Sequence, residues 1–323
     1  MGVITVRVCC PADLAPTVSE LFRSNPLTSA LVVHPGASIT PVGDVIEADL
    51  PREAVNAAVD DLMELGVQDR GTIQLLPVEG WISKTGLNAE LRTPGDNADA
   101  VVWTEVVEQA YDGSQLTWTY ASFMTLATLL AAVAIVTDSI VLVIGAMVVG
   151  PEFVAVAALG VGIVRRRWQL FQQALRTLVL GFAIAIAVVA LLAVVGRLLG
   201  LIEYHQLLLE ARPGTSFIFS PNAWSFTIAL VAGAAGALAL TSSHSGVLVG
   251  VFISVTTVPA SGNMALALVF GIWHEFWGSA LTLGLNISGM ALAGWVTLAI
   301  QQAVWRRTTT VERRLLPMRR QPH

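Results

Sequence analysis

The chain has 323 residues, 54% of them hydrophobic and only 13% charged, with a mean hydropathy of +0.69. A soluble domain carries about 25% charged residues, so a wholly soluble protein is excluded. Up to Leu116 there are 17 acidic and six basic residues, a net charge of −11; beyond it there are six acidic and 12 basic, a net of +6. Such asymmetry implies two parts in different solvents, and the acidity of the front part argues against a nucleic-acid partner.

Val3 to Cys10 alternates, with Ile4, Val6 and Val8 on one face and Thr5, Arg7 and Cys9 on the other, as in a half-buried strand. No cleavable leader is expected before it. Adjacent Cys9 and Cys10 have a poor spacing for a metal or a disulfide and read as strand residues in a reducing compartment. Leu14, Val18, Leu21 and Phe22 follow at helical spacing. A second strand is expected over Ser29 to His34, ending at Pro35-Gly36, and a third over Asp44 to Leu50. Pro51 suits a helix first turn, Val55, Val59 and Leu62 mark one helical face, and Gly66 suits its C-terminal cap. Thr72 to Leu76 is the fourth strand. The order β-α-β-β-α-β predicts an α+β ferredoxin-like domain over residues 1–80, a fold that names no function. A ligand-sensing module and a plain docking or oligomerisation domain both fit.

Residues 81–116 are expected to hold a Gly-, Pro-, Asn- and Ser-rich linker and an amphipathic helix over Ala98 to Tyr111. Residues 117–303 are expected to form an all-α membrane bundle, and 304–323 a basic tail. A membrane-crossing helix needs about 20 apolar residues. Six spans satisfy this: Thr117–Val136, Ser139–Val164, Leu170–Leu199, Ala223–Leu240, Gly246–Gly271 and Gly278–Gln301. An even number of crossings puts Arg165-Arg166-Arg167 and the arginines after Val304 on one side, with the front domain. The positive-inside rule makes that side cytosolic.

The second span is broken by Gly150-Pro151-Glu152, and the fifth by the polar run Thr256 to Asn263 around Pro259. Each is the middle helix of three, which predicts a 3+3 inverted repeat. A proline frees backbone groups that hydrocarbon cannot satisfy, so broken helices in matching positions point to a transport site, whereas ordinary kinks in packed helices are the alternative. Glu152 sharpens the first reading, because a carboxylate at mid-membrane costs about 2.5–3.5 kcal/mol on insertion scales. The candidate solute- or ion-binding residues are Gly150, Pro151, Glu152, Thr256, Thr257, Pro259, Asn263 and Asn286. A structural pairing of Glu152 with Arg176 or Arg197 is the alternative. No catalytic set, metal site, cofactor or phosphate-binding loop is expected.

Asp138-Ser139 leading into Ile144-Gly145-Ala146-Met147 and Gly150-Pro151 resembles the uncharacterised hydrophobic protein family of bacteria and archaea, domain of unknown function 389. So do Ala232-Gly233-Ala234-Ala235-Gly236 with the apolar run after it, Gly246-Val247 to Gly250-Val251 running on to Val258-Pro259, and Asn286. The resemblance covers roughly residues 117–300 and implies a multi-span membrane protein; it supplies no substrate. Glu152 departs from the family's commoner Pro-Leu, so no role for it comes from the resemblance. A secondary transporter or channel for a small solute or ion, in contact with lipid and assembled as a homo-oligomer, is the leading expectation. A non-transporting receptor or scaffold, with lipid as a ligand, is the second.

Overall fold

The computed structural model describes residues 3–78, 80–92, 101–202, 215, 218, 223–241 and 257–315. The chain divides into two compact units, one built on Met1–Val106 and the other on Val107–Leu240 and His244–His323.

The first unit carries β1 (Val3–Cys10), α1 (Ala15–Ser24), β2 (Ala30–Ile39), β3 (Val42–Pro51), α2 (Arg52–Glu64), α3 (Val67–Arg70), β4 (Thr72–Val78) and α4 (Lys84–Arg92). Its open sheet has the order β2-β3-β1-β4, antiparallel throughout. The alternation read in β1 sets the core. Ile4, Val6, Val8 and Cys10 are buried with Ile46, Ala48 and Leu50 of β3, against Val18 and Phe22 of α1 and Val55 and Leu62 of α2. Adjacent residues of a strand face opposite ways, so Cys10 is inside and Cys9 only half-buried. Burial, then the charge of Asp44, pushes the Cys10 thiol above its ordinary range.

The other face of β1 is polar and cross-paired. Arg7 donates to Glu47 at 2.6 Å and Thr5 to Asp49 at 2.6 Å, both pairs directly opposite in register. Two local differences from the sequence reading concern turns. Strand β2 does not stop at Pro35-Gly36; it passes through a bulge between His34 and Ser38 and turns only at Thr40-Pro41. An edge strand tolerates proline there, and the Gly36 N–H is held by Asp44 Oδ1 at 2.8 Å. Pro51 is the residue before α2 rather than inside it. Gly66, at φ +73°, takes the left-handed conformation expected after a helix end. Lys84–Arg92 is helical within the stretch read as linker.

Arg70 grips Asp13 through both guanidinium ends, at 2.9 and 3.0 Å. These hydrogen bonds hold the Asp13 carboxyl below the usual carboxylate range. A carboxyl depressed on folding adds stability above its unfolded value, about pH 4, and loses it as pH falls through the folded value. The pair is exposed and its contribution small. Asp13→Asn should therefore leave the denaturation midpoint at neutral pH nearly unchanged and flatten the acid limb below about pH 4. Urea titrations at several pH values check this.

The boundary between the units falls within α5 (Trp103–Gly113). The membrane unit continues with α6 (Trp118–Val136), α7 (Ile140–Val149), α8 (Glu152–Val164), α9 (Trp168–Leu198), α10 (Ala223–Thr241), α11 (Val258–Phe270) and α12 (Trp273–Leu315). Four of these are long and apolar enough to cross a membrane, α6, α9, α10 and α12 through Val304, and the bent pair α7–α8 makes a fifth. The protein is a multi-pass membrane protein. Helix α11 is apolar but short, and residues 242–256, the first half of the expected fifth span, lie outside the described residues. At 1.5 Å per residue the 43-residue α12 is about 65 Å long, twice the hydrocarbon thickness.

Start and stop signals are local. Thr117 and Ser139 cap α6 and α7 by accepting from the Tyr120 and Leu142 N–H groups. Gly271, at φ +72°, ends α11 and lets the chain reverse into α12. Helix α8 packs on α9 and α12, and α11 packs on the same two, while α6 packs on α7, α9 and α11. Small residues permit the closest approaches. A Cβ on Gly160 of α8 would lie 3.0 Å from the Trp295 nitrogen and 3.1 Å from the Gly294 carbonyl carbon of α12. Gly160→Leu should prise these helices apart at a cost of about 1–3 kcal/mol, lowering the Tm of the detergent-solubilised protein, whereas Gly284→Ala, with open space around it, should not.

Candidate functional site

The break in the second span is where the sequence places it. Val149 ends α7, Gly150 is extended (φ −63°, ψ 126°), Pro151 turns the chain, and Glu152 opens α8 at 57° to α7. Proline has no N–H to give α7 and biases the preceding Gly150 towards an extended conformation, so α7 stops there. Glu152 thereby sits in a first turn, where the helix dipole favours a negative charge.

Pro259 marks the start of α11, lying in its first turn with Thr257 as the residue before the helix. The two helix starts meet. The Thr257 hydroxyl donates to Glu152 Oε1 at 2.8 Å, across 105 residues of sequence, and both side chains are fully buried. The carboxylate thus lies at the positive ends of two short helices. That placement offsets part of its desolvation cost.

Further polar contacts run along α11. Ser261, one turn on from Thr257, pairs with Thr128 of α6 at 3.0 Å and donates to the Val258 carbonyl at 2.7 Å. Asn263 donates to Ser279 of α12 at 3.0 Å. All four side chains are buried. Tyr120, on the Thr128 face of α6, is 6% exposed, lies within electrostatic range of Glu152, and finds no hydrogen-bond partner for its hydroxyl among the described residues.

Of the residues singled out from sequence, Gly150, Pro151 and Glu152 form the break, and Thr257 and Pro259 open the facing helix. Asn263 turns to α12 instead of to Glu152. Asn286 is buried on α12. Thr256 lies outside the described residues. Arg197 is engaged away from Glu152: it donates to the Val269 carbonyl at 3.0 Å, with its guanidinium 5.2 Å from the Phe270 ring centre. Arg176 faces a separate groove. Thr128 and Ser279 carry no sequence signal as lone polar residues in apolar helices, and Tyr120, at the start of a span, reads as an interfacial anchor. The four- and eight-residue spacing of Tyr120, Met124 and Thr128 marks one face of α6 only once that face is seen buried. Among the described residues no group of three or more His, Cys, Asp and Glu could hold a metal.

The arrangement can bind a proton or a cation on a buried carboxylate, or orient a small polar solute between two helix starts. No solved structure matches the chain. Among curated proteins it is similar to "Uncharacterized protein MJ0678" of Methanocaldococcus jannaschii, 25% identical over 201 residues. The similarity covers 62% of this chain and 60% of that protein, so the chain spans well under the whole of its relative. Residues 147–292, which hold Glu152 and Thr257 but not α6, match the family described as domain of unknown function (DUF389).

Proposed function

We propose that the protein is a secondary transporter or channel whose central site lies at the α7–α8 break and the start of α11. The observation that carries this reading is the buried hydrogen bond from Thr257 to Glu152, which joins the α7–α8 break to the start of α11 inside an apolar bundle. Interrupted helices in corresponding positions are how many transporters build a midplane site. The Tyr120 hydroxyl adds support. A buried donor left unsatisfied costs about 1–3 kcal/mol, which favours a hydrated site over a dry one.

In this reading Glu152 takes up a proton, a metal cation or a cationic group of the solute. The two halves form a 3+3 inverted repeat of six spans. Its support is the exchange of partners in which α8 and α11 each pack on both α9 and α12. The chain lies in a bacterial inner membrane with both termini cytosolic, supported by Arg165, Arg166 and Arg167 at the α8–α9 turn. The sheet unit assembles protomers or senses a cytosolic ligand; the exposed Ile39 and Val42 at its hairpin tip favour assembly. The protein is not an enzyme.

A non-transporting receptor or scaffold is the second reading. It is favoured by the Thr128–Ser261 and Asn263–Ser279 bonds, which close polar groups on one another as a packed bundle would. Flux into proteoliposomes across a pH gradient, for the wild type and Glu152→Gln, separates the two. A transporter loses flux with the carboxylate; a scaffold has none to lose.

A further inference from the structure

The membrane unit also carries a donor-rich groove that the transport reading does not use. Its volume is 570 Å³, and it lies between the start of α6 and the first turns of α9. Its walls include Gln115, Gln169, Gln172, Gln173, Arg176 and Leu180. Gln169, Gln172, Gln173 and Arg176 are spaced three, four and seven residues apart, so they form one stripe along about two turns of helix.

One wall is fixed. Gln173 donates to the Tyr111 carbonyl at 3.0 Å, and Thr177 donates to the Ser114 carbonyl at 2.6 Å. The remaining donors are open. Among the described residues Gln169, Gln172 and Arg176 make no hydrogen bond or ion pair, and no carboxylate lines the groove. A planar guanidinium beside two carboxamides is the donor set that recognises a phosphate.

The surroundings say what bears the phosphate. The groove stands at the end of the bundle that carries Arg165, Arg166 and Arg167. Immediately beyond Arg176 the exposed surface of α9 turns apolar, with Val179, Leu180 and Ile184 exposed. A ligand seated on Arg176 would have hydrocarbon directly beneath it.

We propose that this groove binds the phosphate group of an anionic phospholipid, with Arg176 as its anchor and Gln169 and Gln172 as supporting donors. The site is independent of Glu152 and of transport.

The test is native mass spectrometry of the purified full chain in detergent with phosphatidylglycerol or phosphatidylcholine, beside thermal-shift titration with inorganic phosphate. Wild type should retain phosphatidylglycerol at least about tenfold over phosphatidylcholine, and Arg176→Gln should remove that preference. Arg176→Lys should keep part of it. Gln172→Glu, which places a carboxylate in the groove, should weaken it as well. Arg197→Gln, at the far end of α9, should change nothing. Circular dichroism and gel-filtration profiles confirm that each variant folds. Phosphate protection that depends on Arg176, without lipid preference, would keep the phosphate chemistry and overturn the lipid. Equal retention of both lipids with no phosphate effect, or a preference indifferent to both Arg176→Gln and Gln172→Glu, overturns the site itself.

Discussion

Replacing Glu152 by Gln should reduce flux driven by a pH gradient to that of empty liposomes and leave the bundle folded. The substitution keeps the size of the side chain, and the amide oxygen can still accept from Thr257. What disappears is the ability to gain or lose a charge. Thr257→Val should give a milder version. It preserves shape but removes a hydrogen bond that is worth about 1.5–3 kcal/mol when the acceptor is charged. Flux should fall, because the buried carboxylate loses the hydroxyl that orients it at the start of α11. If Thr257→Val matched Glu152→Gln in full, the hydroxyl would be part of the transport step and not only a support. If neither altered a measurable flux, the carboxylate would be a packing element and the scaffold reading would stand.

The second large effect lies in the sheet unit. Phe22 is fully buried and is among the largest side chains in that core, between α1 and the inward face of β1 and β3. Phe22→Ala should cost about 3–5 kcal/mol, the usual range for emptying an aromatic site. Small domains are stable by only about 5–15 kcal/mol, so the loss is a large share. Hydrogen-exchange mass spectrometry of the full chain should find faster exchange throughout β1 to β4 and unchanged protection in α6 to α9. Equal loosening of both would mean that the two units fold as one. No change at all would remove Phe22 from the core.

The sheet unit is legible in sequence because its strands are half-buried. Ile4, Val6 and Val8 alternate with Thr5, Arg7 and Cys9, and one register satisfies both faces. The end of β2 is misjudged by five residues because Pro35-Gly36 carries the composition of a turn yet sits at a bulge on an edge strand. Of the six expected spans, four are legible by length and apolarity and a fifth as the bent α7–α8 pair, whose break at Pro151 is legible by chemistry. Which helix faces which is not. Helices apolar on all sides have no stripe to read. The meeting of Glu152 with Thr257, and of Ser261 with Thr128, joins residues more than a hundred positions apart. Tyr120 escapes notice for the opposite reason: an aromatic residue at the start of a span reads as an interfacial anchor, whereas its ring is buried against Gly181.

Whether water reaches the buried carboxylate where the two helix starts meet is tested most directly by water-soluble thiol reagents. In a Cys9→Ser, Cys10→Ala background, cysteines placed one at a time at Gly150 and Thr257 should react in intact membranes from at least one side. Reaction should slow when protons or the transported ion are in excess. Both positions staying inert under every condition, while a cysteine at exposed Gln169 reacts fully, would contradict a hydrated site and leave a dry, packed bundle in its place.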